Sequence, residues 1–470
     1  MFKVLAGMSW GVHPIILRRI YISMIRSKLD YASMLYGDSC KTHLAKLDKI
    51  QNQCMRIIGG FIKSTTIHVM ESELHLQPLH IRRYFLAGKY WLKCKSFSGH
   101  IVIKLLEVLN TFRSHIYWRR RNHPLLLLVH DYLKDIPIHS SHILEMFSLC
   151  TWVSYVDLSS TLYLDINCIN KAKHQYNTLK LRQLCENHVN NYYGDFYQVY
   201  TDGSKDKDMN SGVALFDPQT NGCVQLSISQ NVSIMSAELV AIAEAISYIK
   251  SLRSGKYVIM TDSKSALYHL ARCTSTFRCS PVAYDIVKEL YKLSNSDKII
   301  KIQWMPSHIG IFGNEEADRL AKSAINDGEP FTLLPLYSDC LHIVKSKCSD
   351  MWNVYFDERS LTKGIWYKTI QPYIAKSPWF VESTLSRSDI VTALRLRSGH
   401  IPLNGFLYLI GKINSPNCTE CNLKEDVYHV MVECVRNEVE RSDLQADLYE
   451  VGKCNCILAY PLSVGSQNVV

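Results

Sequence analysis

The sequence predicts a multidomain chain of α and α/β units: a helical N-terminal region, a central mixed five-stranded sheet with flanking helices, and a small metal-binding C-terminal region. Three observations carry that reading. Apolar residues recur at helical spacing through the first hundred positions. Between about 195 and 327, short strand-like runs alternate with amphipathic stretches, and Cys418, Cys421, His429 and Cys434 gather near the end. With 470 residues, 47% of them apolar, the chain holds enough for several cores and is not a disordered polymer.

The N-terminal helices, assigned to 1–109, rest on Ile15, Leu17, Ile20, Tyr21, Met24 and Ile25, then on Leu44, Leu47, Ile50, Met55 and Ile57. Arg18, Arg19, Arg26, Lys28, Arg82 and Arg83 lie among them, and periodicity alone makes them a solvated face. The pattern weakens over 110–194, where Pro124 and Pro137 interrupt it, Arg119-Arg120-Arg121 adds charge and a polar stretch runs from Asn170 to Asn191. This reads as a connecting region with some helix.

A new rhythm begins near Phe196. Phe196 to Thr201, Gly212 to Phe216 and Cys223 to Ser229 are three short strands separated by Gly, Asn, Asp and Pro. A helix follows, capped by Ser236 and carrying an apolar stripe of Leu239, Ile242, Ala243, Ile246 and Ile249. Lys256 to Thr261 is the next strand, Ser265 to Ala271 and Val282 to Leu293 are helices, and Ile299 to Met305 is the last strand. A final helix starts near Asn314, with Ala317, Leu320, Ala321 and Ala324 as its packing stripe.

Acidic residues fall at telling places in this rhythm. Asp202 and Asp262 close strands, Glu238 opens a helix, and Asn314 and Asp318 share a face of the last helix, one turn apart. Each alone is a common turn, cap or first-turn residue. Four carboxylates converging on one point would repel one another and would be relieved by hard divalent cations, magnesium above all, with manganese as a substitute. Such a layout suits two-metal hydrolysis of a phosphodiester.

The motifs Tyr200-Thr201-Asp202-Gly203-Ser204, Ser236-Ala237-Glu238-Leu239, Met260-Thr261-Asp262-Ser263 and Ser307-His308-Ile309-Gly310-Ile311-Phe312-Gly313-Asn314-Glu315-Glu316-Ala317-Asp318 resemble, in that order, type 1 ribonuclease H over 195–327. The resemblance implies the strand order of that fold and cleavage of the RNA strand of RNA–DNA hybrids. It makes Asp202, Glu238, Asp262 and Asp318 the ligands of two magnesium ions and His308, on a Gly-rich loop, a proton shuttle. Gly203, Ser204, Ser236, Lys264, Asn314 and Glu315 are expected at the substrate, touching 2′-hydroxyls, backbone or phosphate, with Glu315 also assisting product release or the metal's surroundings. The segment between Asp262 and His308 is short for bacterial members, so their basic helical protrusion is expected to be reduced. A DNA exonuclease on the same fold would begin with Asp-x-Glu, whereas Asp202 is followed by Gly203-Ser204.

Leu5-Ala6-Gly7-Met8-Ser9-Trp10-Gly11, Arg26-Ser27-Lys28-Leu29-Asp30-Tyr31, Leu47-Asp48-Lys49-Ile50-Gln51-Asn52-Gln53 and Pro78-Leu79-His80-Ile81-Arg82-Arg83 resemble the helical thumb that follows the polymerase core of jockey-like non-LTR retrotransposon reverse transcriptases. No Asp-Asp pair occurs in the chain, so polymerisation would need another subunit. Within 328–470, Cys418-x2-Cys421-x7-His429-x4-Cys434 supplies three thiolates and an imidazole, the ligand set of a structural zinc site. Leu396-Arg397-Ser398-Gly399-His400 and Glu433-Cys434-Val435-Arg436 resemble the tail of the same polyproteins, with Arg395, Arg397 and His400 as nucleic-acid contacts.

The formal charge of +10 suits nucleic acid and also plain solubility. Sixteen scattered cysteines and no charged-then-apolar leader point to a reducing, intracellular location, nucleus or cytoplasm, with no membrane segment. The alternative to an enzyme is an inactive nucleic-acid-binding remnant of a retrotransposon polyprotein.

Overall fold

The computed structural model describes residues 2–7, 10–140, 156–171, 173–228, 231–273, 280–294 and 296–443. They fall into two units, one drawn from 90–111 and 130–342, the other from 1–89, 112–129 and the residues after 342. Cys454 and Cys456 lie outside the described residues.

The first unit is built on a sheet. Its strands are β1 (Leu162–Tyr163), β2 (Tyr197–Lys205), β3 (Ser211–Asp217), β4 (Gly222–Ile228), β5 (Gly255–Thr261), β6 (Lys298–Trp304) and β7 (Glu329–Phe331), in the order β1-β6-β5-β2-β3-β4-β7. Strands β2, β3 and β4 form an antiparallel meander, while β5 pairs parallel with both β2 and β6, and the edges β1 and β7 pair parallel with β6 and β4. The five strands read from sequence are therefore joined by two more. At two and three residues, β1 and β7 are too short for a period-2 pattern to register.

Helices α1 (Thr178–Tyr193), α2 (Ile234–Ser251), α3 (Lys264–Cys273), α4 (Pro281–Ser294) and α5 (Phe312–Asp327) cover both faces. Leu239, Ile242 and Ile246 of α2, Leu267 and Leu270 of α3 and Ile286 and Leu290 of α4 pack on Val199, Ile259 and Ile302. The strand period of two sends the next residues, Tyr200 and Met260, to the opposite face. There they meet Leu181, Cys185 and Val189 of α1 and Ala317, Leu320 and Ala321 of α5. Part of the segment read as a connector, 110–194, thus supplies an edge strand and a share of one core.

Two local boundaries differ from the sequence reading. Strand β2 does not end at Asp202 but continues to Lys205, because β3 keeps pairing with it through Lys205↔Ser211 after the parallel ladder with β5 stops at Thr201↔Thr261. The cap of α2 is Ser233, whose Oγ accepts the Ser236 N–H at 3.2 Å; Ser236 itself lies inside the first turn.

In the second unit, N-terminal and C-terminal stretches share one core. Leu17, Tyr21, Met55, Ile58 and Met70 pack with Phe380, Ile390 and Leu394. The guanidinium of Arg387 donates to the carbonyls of Gly7, Val12, Ile57 and Ile58, the last two at the end of the helix Lys41–Gly59, where intrahelical donors run out. Arg395 donates to the Gly60 carbonyl, and Arg397, buried, pairs with Glu73 at 2.5 Å. These two arginines, expected at nucleic acid, are engaged inside the unit. Arg18 and Arg26 likewise bond backbone carbonyls of Leu74, His75 and Gln77 and do not form a solvated face. Among the described residues no helix is long and apolar enough to cross a membrane.

Candidate active site

Parallel pairing sets the site. Thr201 and Thr261 are partners in neighbouring parallel strands, so the residues that follow them, Asp202 and Asp262, stand side by side where that ladder ends. Both threonines are buried, and alternation turns the two aspartates to the other face. The second turn of α2 brings Glu238 to the same point. A side chain at Gly203 would put its Cβ 2.9 Å from the Glu238 amide nitrogen and 3.1 Å from the Ala237 carbonyl carbon. The helix backbone lies against the strand there, and only glycine leaves it room.

The ligand atoms of Asp202, Glu238 and Asp262 all lie within 4.8 Å of one another. Burial, foremost, and the charges of Asp262 and Asp318 push Asp202 up to about 8. Burial and then Asp202 and Asp262 hold Glu238 well above the usual carboxylate range. Asp262 is raised mainly by burial, against which His308, a hydrogen bond from Asn314 and the charge of Lys173 act. Three carboxyl groups that resist ionising together in one place form a site that a hard cation would complete. Two polar atoms point the same way: Oε2 of Glu238 and Oδ1 of Asn314 are buried without a hydrogen-bond partner.

Asp318 stands slightly apart. Its ligand atom groups with those of His308 and Glu315, and its Oδ2 is held by Lys322 at 2.6 Å, one turn further along α5. His308 is exposed, in the left-handed region at φ +47°, with Nδ1 4.0 Å from Asp318 Oδ2. Glu315 accepts the Gly310 N–H at 3.0 Å and so ties the loop to α5.

The proposed substrate contacts divide. Ser204 is half-buried near the end of β2. Ser236 is buried and donates to Asp339 at 3.2 Å, so it faces inward, a consequence of its place inside the helix. Lys264, half-exposed, is paired with Asp165 at 2.6 Å and lies 4.4 Å from the centre of the Trp304 ring.

Residues 195–326 match the RNase H family model. This RNase H stretch also resembles Ribonuclease H1 of Homo sapiens, 28% identical over 151 residues, and that of Rattus norvegicus, 26% identical over 171 residues. The human match covers 29% of this chain and 53% of the relative, the rat match 34% and 60%, so the chain spans little more than half the length of these relatives. Ribonuclease H1 of Mus musculus matches similarly, at 27% over 151 residues, covering 29% of the chain and 53% of the relative.

Two basic residues near these carboxylates lie outside the sequence motifs. Lys322 is visible only as a basic residue four after Asp318. Lys173 lies outside the matched stretch, and nothing local in the sequence marks it.

The other unit holds a second candidate metal centre. Ligand atoms of Cys418, Cys421, His429 and Cys434 lie within 4.8 Å of one another. The first two sit on a tight turn in which Cys418 N–H donates to the Leu423 carbonyl at 2.7 Å and Asn422 takes φ +53°. His429 Nδ1 lies 3.3 Å from Glu433 Oε2, while Nε2 is buried without a partner. A carboxylate on one ring nitrogen and a vacant lone pair on the other is how metal-bound histidines are oriented. Glu433 went unnoticed in the spacing because carboxylates do not belong to the Cys3His pattern.

Proposed function

We propose that this protein hydrolyses the RNA strand of RNA–DNA hybrids endonucleolytically, in a divalent-metal-dependent reaction run by its RNase H stretch. The observation that carries the reading is the trio of buried Asp202 and Glu238 with half-buried Asp262 at the end of the β2–β5 ladder, with Glu238 Oε2 left unpaired. In this reading the trio and Asp318 hold two magnesium or manganese ions, which when bound supply an acidified water and charge stabilisation at the scissile phosphate. Asn314 fixes Asp262 through its hydrogen bond, Glu315 holds the Gly310 amide, and His308, on the exposed side of Asp318, carries the proton away or towards the leaving group. The reading requires Asp318 to leave Lys322 when the site fills. Gly203, Ser204 and Lys264 remain the backbone, hydroxyl and phosphate candidates at the hybrid, Lys264 exchanging Asp165 for a phosphate, while buried Ser236 acts through Asp339.

The Cys3His set, in the same proposal, holds one structural zinc ion. The thumb-like strings and the tail extend the reading to a retrotransposon-derived chain inside the cell, nuclear or cytoplasmic, working beside a polymerase subunit supplied separately.

The test is cleavage of a labelled RNA–DNA hybrid in magnesium, alongside RNA and DNA duplexes. The RNA strand of the hybrid alone is cut, and Asp262→Asn reduces the rate at least about a hundredfold. Hybrid binding without cutting by either protein would mean an inert remnant and would sink the hydrolytic reading. For the second centre, metal analysis of the purified chain returns one zinc per chain and none for Cys434→Ser; a metal-free wild type rules the zinc out.

A further inference from the structure

The loop that carries His308 is held in an unfavourable backbone conformation. His308 takes φ +47° and Gly310 φ +86°. A non-glycine residue in the left-handed region persists only where surrounding contacts over-determine it. Some of those contacts come from α5, through Glu315 and the Gly310 amide. The others come from chain upstream of the matched stretch.

Lys173, just before α1, donates from Nζ to the Ser307 carbonyl at 2.5 Å, and the Ser307 hydroxyl is 3.5 Å away. That carbonyl is the backbone group immediately before His308. The guanidinium of Arg182, on α1, lies 3.3 Å from where a Cβ on Gly310 would stand. Ile309 and Ile311, which flank Gly310, are buried in the same cluster as Leu181 and Cys185 of α1 and Ile166 before it. The upstream segment therefore grips the loop at Ser307, Ile309, Gly310 and Ile311, and leaves the His308 side chain in solvent. Lys173 is also close enough to Asp262 for its charge to favour the ionised carboxylate.

We propose that Ile166, Lys173, Leu181 and Arg182 together clamp the His308 loop, and that Lys173 is the positioning residue, holding Ser307 so that the His308 ring stays beside Asp318. The active unit then begins well before residue 195. In this assignment Lys173 braces the loop and is not a substrate contact, since its ammonium already donates to the Ser307 carbonyl. A charge-assisted hydrogen bond to a carbonyl is stronger than a neutral one, which suits an exposed lysine to restraining a backbone that would otherwise relax.

The catalytic part of the test rests on the hydrolytic reading above, so two measurements are made on the full-length chain. Wild type, Lys173→Ala and Lys173→Arg are compared in steady-state hybrid cleavage and in amide hydrogen exchange over 305–311. Lys173 is exposed, so its replacement leaves the cores intact, and thermal unfolding verifies this. With Lys173→Ala, kcat falls about tenfold while KM stays within about twofold, as expected when a proton-transfer group is misplaced and binding is not. Exchange at Gly310 quickens by a similar factor, and Lys173→Arg recovers most of both effects.

A raised KM with unchanged kcat and unchanged exchange would make Lys173 a phosphate contact and overturn the clamp. Unchanged kinetics and exchange would overturn it as well. If the wild type does not cut the hybrid, the hydrolytic reading fails on its own. The exchange comparison then decides the clamp alone: faster exchange in Lys173→Ala supports it, and equal exchange ends it.

Discussion

Asp202, Glu238 and Asp262 are costly neighbours without a cation. Each is raised, burial being the largest cause, and Asp202 reaches about 8 against its ordinary 3.8. The sign of the linkage follows. Between those two values the unfolded chain has already released the Asp202 proton while the folded chain still holds it, so unfolding releases a proton and stability falls as pH rises. Below the ordinary value both states are protonated and the penalty is absent; above about 8 it is fully present. Metal-free protein should therefore lose thermal stability between about pH 5 and pH 8. Magnesium, which favours the charged forms, should raise the melting temperature more at pH 8 than at pH 5. In Asp262→Asn, with one charge gone from the trio, both trends should shrink. Equal magnesium shifts at the two pH values would show that the ion does not bind these carboxylates.

At the level of elements, what was legible depended on how local the cause was. Strands β2 to β6 and helices α2 to α5 each carry their own period of apolar residues, and the acidic motifs lie on or beside those elements, so both could be read directly. The two edge strands could not, since Leu162–Tyr163 has no pattern to show and exists because the edge of β6 offers it partners. Helix α1 was blurred by polar residues on its outer side, although Leu181, Cys185 and Val189 keep a spacing of four. The place of Asp202 within its strand was hidden for another reason. Gly203 reads as a turn residue, yet here its missing Cβ makes room for α2, and the strand runs on past it. The intramolecular partners of Ser236 and Lys264 were also illegible: they are Asp339 and Asp165, more than ninety residues away in the chain.

At the scale of the whole molecule, chain order and spatial grouping diverge. The unit that holds the N-terminal helices also takes in the chain beyond 342, so its stability depends on contacts closed over more than three hundred residues. The pair Arg397–Glu73 is the best placed to measure that dependence. Both side chains are almost fully buried, Trp379 Nε1–H also donates to Glu73 at 2.9 Å, and Arg397 reaches Gln371 at 2.9 Å. Removing one partner of such a pair strands the other charge in the interior, which costs roughly 3–5 kcal/mol, whereas removing both is milder. Arg397→Ala should therefore lower the urea midpoint of this unit strongly, and adding Glu73→Ala should recover part of the loss. If the two single substitutions and the double one were simply additive, the pair would not be coupled, and the joining of the two chain ends would rest on the apolar contacts of Leu17, Met55 and Phe380 with Ile390 and Leu394 instead.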